Sequence, residues 1–248
     1  MHRMKPLAFV AAALLACHAP HLAAQSSCSS DGTRQPVAVF ERFLNADCES
    51  CWTDASTPAP SVGAGALVLD WIVPSPLGDD APLSAAATRD ALIRLENLER
   101  TPPARTDVYV ATVEAPGPAA RLRVAAGMPF NDYLGTSIAF AGGGRSSMAN
   151  GAKRDASSGI GTWDFYLLLV ETVPAGTEGT PVERNIVRNM LQSSWDMRQP
   201  LSNVKQSKWM ESRPMRYPEG ARPERLRVVG WVQDTTGRVV AAAQSACR

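Results

Sequence analysis

The sequence predicts an α/β fold in its first half and a mainly antiparallel β fold in its second half. Between residues 35 and 115, apolar strand-like runs alternate with one amphipathic segment of helical spacing, which is the pattern of a βαβ unit. Between residues 118 and 246, β-branched and aromatic runs are separated by turn signals, and no long amphipathic helix intervenes. We therefore expect two structural units that follow one another along the chain.

The first 24 residues have the pattern of an export signal. Arg3 and Lys5 precede an apolar run over residues 6–17, which is shorter than the roughly 20 apolar residues of a membrane-spanning helix. Two maturation routes stay open. Small residues permit cleavage after Ala24, whereas LLAC resembles the lipobox of bacterial lipoproteins and would leave a lipid on Cys17. Both routes predict a periplasmic or secreted protein, with membrane contact only through that lipid.

The histidines exclude several classes of site from the exported part of the chain. His2, His18 and His21 are the 3 histidines, and all lie in the signal or in its lipid tether. A serine or cysteine nucleophile activated by histidine is excluded, as are histidine-ligated zinc and copper sites. The 25 Lys and Arg less the 2 in the signal leave 23, against 24 Asp and Glu. This near-neutral balance predicts no nucleic-acid partner, and no pattern predicts a metal or another cofactor.

The cysteines predict two disulfide bonds. Apart from Cys17 they are Cys28, Cys48, Cys51 and Cys247, an even number in an oxidising compartment. Three pairings are possible. We expect Cys48 to pair with Cys51, because they are close in sequence, and Cys28 to pair with Cys247, so that the second bridge clamps the two ends of the chain. A four-cysteine zinc site would need a second closely spaced cysteine pair, which the sequence lacks.

The elements of the first half follow from their apolar patterns. Residues 37–43 and 66–73 are predicted strands, and the second is apolar nearly throughout, as buried parallel strands are. A helix is predicted from Ser84, which can act as its N-cap, because leucines recur after it near helical spacing. A third strand is predicted over 107–113. This order places the close cysteine pair at the end of the first strand.

The second half is predicted to contain further strands around a glycine-rich loop. Residues 182–190 are compatible with a short helix or with another strand. The loop over 141–161 is small and polar, and its three consecutive glycines lack the spacing and the flanking elements of a phosphate-binding loop. The predicted strands cover residues 119–126, 163–173, 226–234 and 239–243.

A cysteine pair that follows a first strand in a βαβ setting resembles the active-site region of the thioredoxin-like superfamily. The carrying segments are VAVFERFLNADCESC, VLDWIVPSPLGDDAPLS, RNIVRNM and VVGWVQDTTGRVVAAA. With these segments in this order, the chain is similar to a family of exported bacterial proteins that have a thioredoxin-like N-terminal half and no agreed function.

The resemblance implies thiol-disulfide exchange with a protein or a small thiol. Cys48 would then be the attacking thiol, Cys51 the resolving thiol, and Trp52 would shield the pair or contact the substrate. The alternative, which the sequence favours, is that Trp52 is a packed aromatic side chain capping the first helix, because most tryptophans of a domain are largely buried. Pro102 and Pro103 precede the third strand, which is where the superfamily has a cis-proline.

Local charge leaves two functional hypotheses open. Asp47, Glu49 and Asp54 surround the cysteine pair, and like charge disfavours a thiolate, which offsets the favourable effect of a helix N-terminus. The first hypothesis is an exported thiol-disulfide oxidoreductase. The second is a non-enzymatic, disulfide-stapled envelope or binding protein on the same fold. Residues 181–228 hold ten Lys or Arg against five Asp or Glu, an excess that can face an anionic envelope surface or solvent.

Overall fold

The structure is a computed structural model, and it describes residues 28–55, 65–115, 120–142, 161–201 and 208–247. The predicted export signal, the predicted lipid site Cys17 and residues 143–160 of the predicted glycine-rich loop lie outside the described residues. Within the described ranges strands predominate. There are two α-helices, α1 (Glu49–Thr53) and α2 (Arg89–Asn97).

The described residues form twelve strands. They are β1 (Cys28–Ser29), β2 (Ala38–Asn45), β3 (Ala66–Val73), β4 (Thr106–Thr112), β5 (Arg121–Phe130), β6 (Tyr133–Ala141), β7 (Thr162–Val173), β8 (Arg184–Asp196), β9 (Lys208–Arg216), β10 (Leu226–Gln233), β11 (Val239–Gln244) and β12 (Ala246–Cys247).

These strands form two sheets. The five-stranded sheet has the order β12-β1-β5-β6-β9 and is antiparallel throughout. The seven-stranded sheet has the order β11-β10-β7-β8-β3-β2-β4. Within it, β2 runs parallel to β3 and β3 runs parallel to β8, whereas the other neighbouring pairs are antiparallel. The seven-stranded sheet therefore contains strands from both of the predicted halves.

The predicted fold class is wrong, because the fold is mainly β and the N-terminal half is not a thioredoxin-like α/β unit. The predicted strands are present, and β2 and β3 are parallel. However, β4 is antiparallel to β2, α1 has only 5 residues, and strands of the second half continue the same sheet. Continuous apolar runs show that β2 and β3 are buried on both faces, but not which elements cover them.

The predicted helix begins later in the chain than its apolar spacing suggested. Ser84–Ala86 forms a 3-10 turn, and α2 begins at Arg89 with Thr88 as its N-cap residue. The segment over 182–190, for which helix and strand were both open, lies largely in strand β8. Only α2 therefore provides a helical layer of more than two turns in the described chain.

The two sheets pack face to face over one apolar cluster. Leu122, Ile138 and Phe140 of the five-stranded sheet lie in this cluster with side chains of β7 and β10. The approach is close at Gly230, where a Cβ atom would lie 2.9 Å from Ile138 Cδ1 and 3.0 Å from Tyr166 O. A larger residue at this position would push the sheets apart.

Two further clusters lie on the seven-stranded sheet. The first includes Trp71 and Trp231, and α2 contributes Ala91 and Leu95 to it. The second contains side chains from the ends of β2, β3, β7 and β8 together with the segment that carries α1. This last cluster, which we call the α1 cluster, contains the predicted cysteine pair. Its members are Leu44, Ala46, Cys48, Cys51, Trp52, Ile72, Ala81, Val173 and Ile186.

Candidate functional site

The predicted cysteine pair lies directly after β2, where the chain turns into α1. The backbone N–H of Cys48 donates to Asn45 O at 3.0 Å, and Cys48 is the N-cap residue of α1. Cys48 and Cys51 form a disulfide, which confirms this predicted pairing. The pair is buried, because Cys48 is 7% exposed and Cys51 is 3% exposed.

Burial of the bridge limits its chemistry. Thiol-disulfide exchange requires a thiolate to reach one of the two sulfur atoms. Here the sulfur atoms lie among Leu44, Ile72 and Ile186 in the α1 cluster. The folded conformation therefore leaves an incoming thiol little access to the pair.

Polar contacts hold α1 in place. Trp52 Nε1 donates to Glu178 O at 2.7 Å. Arg184 Nη2 donates to the carbonyl oxygens of Cys51, Trp52 and Asp54 at 3.1, 2.9 and 3.3 Å. A helix end leaves carbonyl groups without a partner inside the helix, and this guanidinium supplies one. Trp52, the predicted substrate contact, is therefore a buried side chain that joins α1 to the segment between β7 and β8.

The segment before β4 passes beside α1. Asn45 Nδ2 donates to Pro103 O at 2.9 Å, and Arg105 Nη2 donates to Ser50 Oγ at 3.2 Å. No described residue follows a cis peptide bond, so Pro102 and Pro103 are both trans. The chain thus brings Pro103 beside Asn45, just before the cysteine pair in sequence, without the cis bond that the resemblance implies.

A buried ionic cluster lies on the same side of the sheet as α1. Asp70, on β3, accepts hydrogen bonds from Arg42 Nε at 2.5 Å and from the backbone N–H of Asn185 at 2.6 Å. Arg184 Nη1 lies 3.8 Å from Asp70 Oδ1. In the described part of the chain, Arg42 Nη1 and Arg184 Nη1 have no hydrogen-bond partner. The Asp70 carboxylate is therefore shared by the guanidinium groups of Arg42 and Arg184.

The arginines of this cluster are affected by both burial and charge. Burial lowers the pKa of Arg184, and the positive charge of Arg42 acts in the same direction, while Asp70 opposes both. Burial also lowers the pKa of Arg227, against the opposing charges of Glu183 and Asp70. Both shifts follow from placing several guanidinium groups in a region of low polarity.

A second buried ion pair lies on the opposite face of β2. Arg94 Nε and Nη2 donate to the two Glu41 carboxylate oxygens at 2.8 and 2.6 Å, and Trp71 Nε1 donates to Glu41 Oε1 at 3.0 Å. The Arg94 guanidinium lies 4.7 Å from the Tyr166 ring and 5.2 Å from the Trp231 ring. Burial lowers the pKa of Arg94, but the charge and hydrogen bonds of Glu41 outweigh it, so that this pKa is raised overall.

Sequence patterns alone do not identify these ion pairs. Their signal is the presence of Glu41 and Arg42 inside the apolar run of β2, because a charge in a strand buried on both faces needs a partner. Their partners are distant in sequence, because Arg94 lies 53 residues from Glu41 and Asp70 lies 28 residues from Arg42. Both clusters are closed to solvent, so they position strands and offer no accessible reacting group.

The second predicted disulfide is also present. Cys28 and Cys247 are bonded across a sequence separation of 219 residues, and they are paired neighbours in β1 and β12. This confirms the predicted pairing. Two disulfides are compatible with an extracellular or periplasmic protein.

The described ranges contain no group of three or more His, Cys, Asp or Glu side chains that could hold a metal ion. In the same ranges no helix is both long and apolar enough to cross a membrane. A comparison with models of known protein families finds no match, and a comparison with curated proteins finds no similar sequence.

Proposed function

We propose that this chain is an exported, non-enzymatic binding protein in which both disulfides are structural. The observation that carries the proposal is the burial of Cys48 and Cys51 inside the α1 cluster. Redox-active cysteines lie in partly exposed, electropositive surroundings, whereas buried cysteines are inert. The bridge thus has the surroundings of a structural disulfide.

The contacts around α1 support the same function. Exchange would require Trp52 to leave Glu178 O and Arg184 to leave the helix carbonyls. Arg184 is fully buried, and separating it from its acceptors without solvent costs several kcal/mol. Opening of α1 is therefore expected to be rare in the folded protein.

The reduction potential of the Cys48–Cys51 bridge tests the proposal. The Cys28→Ser/Cys247→Ser variant isolates this bridge, and it is equilibrated in graded thiol buffers and read by mass after alkylation. We expect a potential below about −300 mV, as structural disulfides have. A potential between about −120 and −270 mV would place the pair among exchanging dithiols and contradict the proposal.

Thiol-disulfide exchange is the second candidate function, and one contact favours it. Cys48 Sγ lies 3.6 Å from Ser50 Oγ, which also accepts a hydrogen bond from Arg105 Nη2. Ser50 thus links the Arg105 guanidinium to Cys48, and a neighbouring cation favours the thiolate form of a reduced cysteine. If this function holds, the wild type reduces insulin and Arg105→Gln slows the reaction. Under the structural proposal neither protein reduces insulin.

A further inference from the structure

The side of the five-stranded sheet that faces away from the core is defined by strand register. Leu134, Ile138 and Phe140 of β6 point into the cluster between the sheets. Side chains alternate along a strand, so Tyr133 and Ala139 lie on the opposite side, which we call the outer face. Residues paired with these two across the strands lie on the same face.

Apolar side chains are exposed at one end of the outer face. Phe130 pairs with Tyr133, and the two are 75% and 45% exposed. Met128, near the same end of β5, is 74% exposed. Asn131 and Asp132 connect the strands with φ angles of 47° and 63°, so this hairpin end is a tight turn. Large apolar side chains grouped at a hairpin end are typical of an interaction surface.

Basic side chains are distributed along the same face. Arg216 pairs with Tyr133 at the apolar end. At the other end of the sheet, Arg121 and Lys208 are the partners of a single β6 residue, and one row inward Arg123 pairs with Ala139. Arg123 also forms an ion pair with Asp31 at 2.9 Å. Asp132, in the turn at the apolar end, is a second exposed acidic residue. Four cations against these two acidic residues leave a positive excess, which makes this face complementary to an anionic surface.

We propose that the outer face docks on an anionic lipid bilayer, an inference that rests on the proposed binding function. Aromatic rings that lie beside cations suit the interface between lipid headgroups and acyl chains. Basic side chains near such a surface are attracted by anionic lipids. Phe130 and Tyr133 then insert at the interface, while the arginines and Lys208 contact headgroups.

The distribution of charge fixes the orientation. The strand from Tyr133 to Ala141 spans about 27 Å at the usual rise of a β-strand. If only the hairpin end touched the bilayer, the cations at the far end would lie beyond the Debye length of about 8 Å at physiological ionic strength. The sheet therefore lies flat on the surface, so that both ends contribute.

Vesicle co-sedimentation of the exported protein tests this inference. We expect binding to an equimolar mixture of phosphatidylcholine and phosphatidylglycerol, little binding to phosphatidylcholine alone, and release by salt. Phe130→Ser should weaken binding at least about tenfold. Arg121→Glu and Lys208→Glu should each weaken it about fivefold or more, because each removes one basic contact. Every protein carries Cys17→Ala, which removes the predicted lipid site, so that vesicle binding reports on the outer face alone.

Matched controls lie away from the outer face. Leu77→Ser removes an apolar side chain that is 55% exposed, and Arg89→Glu reverses an exposed charge on α2. Both should bind the anionic vesicles as the wild type does. Thermal unfolding of each variant checks that its fold is intact.

Several results would overturn the inference. These are no binding to the anionic vesicles, equal binding to both lipid mixtures, equal effects of Phe130→Ser and Leu77→Ser, or no effect of the Arg121 and Lys208 reversals. If the outer face bound another protein through Phe130 and did not bind vesicles, its ligand would be that protein and not a bilayer. The proposed function is tested separately, because a reduction potential of the Cys48–Cys51 bridge between about −120 and −270 mV would contradict it. A potential below about −300 mV together with no vesicle binding would contradict the proposed docking surface and leave the proposed function standing.

Discussion

The two disulfides of this protein have the same chemistry and contrasting surroundings. Cys28–Cys247 spans 219 residues and joins β1 to β12, which have two residues each, at an edge of the five-stranded sheet. Cys48–Cys51 spans 3 residues and is buried in the α1 cluster. The long bridge restricts nearly the whole unfolded chain, whereas the short one restricts a single turn.

The non-covalent contacts around the two disulfides show the opposite order, because the short bridge has more of them than the long one. The short bridge is supported by Arg184, by Trp52 and by apolar neighbours from four strands. The long bridge lies in two-residue strands with few ladder hydrogen bonds. A covalent bond thus contributes most where the surrounding structure contributes least, and four variants test this difference.

The largest expected effect is the loss of the long bridge. Because it closes a separation of 219 residues, Cys28→Ser with Cys247→Ser should lower the free energy of unfolding by about 5 kcal/mol on chain-entropy grounds. Denaturant unfolding under oxidising conditions measures it. A loss no larger than that of the short bridge would show that loop length does not govern the contrast.

Removal of Arg184 should have the next largest effect. Arg184→Ala takes the guanidinium from three carbonyl groups and leaves Arg42 alone with Asp70, so we expect a loss of about 3 to 5 kcal/mol. The control is Arg198→Ala, which breaks an exposed pair with Asp196 and should leave the free energy of unfolding nearly unchanged. Equal effects of the two variants would refute a structural role of the buried arginine.

Loss of the short bridge should be milder. Cys48→Ser with Cys51→Ser removes a constraint over 3 residues, which is worth about 2 kcal/mol by the same reasoning as for the long bridge. The protein should still fold, with a lowered melting temperature. A variant that fails to fold would mean that this bridge, and not the arginine, organises α1.

The smallest expected effect comes from one hydrogen bond. Trp52→Phe removes the donor to Glu178 O and should cost about 1 kcal/mol more than a substitution that only reduces ring size. Trp163→Phe is the matched control. Trp163 is 8% exposed, as Trp52 is, and its Nε1 has no partner in the described chain. Equal losses in denaturant unfolding would show that the Trp52 hydrogen bond contributes nothing.

Local patterns predicted the local features, and the number of cysteines predicted one long-range bond. Spacing and an oxidising compartment predicted both disulfides, and apolar runs located β2, β3 and β4. The antiparallel direction of β4 and the continuation of the sheet into β8 depend on contacts between distant segments. Arg184 and Trp52 are likewise 132 residues apart. The βαβ pattern, and a resemblance carried by four short segments, therefore predicted the wrong fold class.

The adjacent charges on β2 also determine strand alignment. Glu41 and Arg42 point to opposite faces of the seven-stranded sheet, and each meets an opposite charge there. If β2 slipped by one residue, the two side chains would exchange faces. A slip in one direction would place Glu41 opposite Asp70, and a slip in the other direction would place Arg42 beside Arg94, so either slip would replace an attraction by a repulsion. The Glu41–Arg42 dipeptide thus disfavours the registers shifted by one residue. A uniformly apolar strand of this length would have no such charges to oppose the shift.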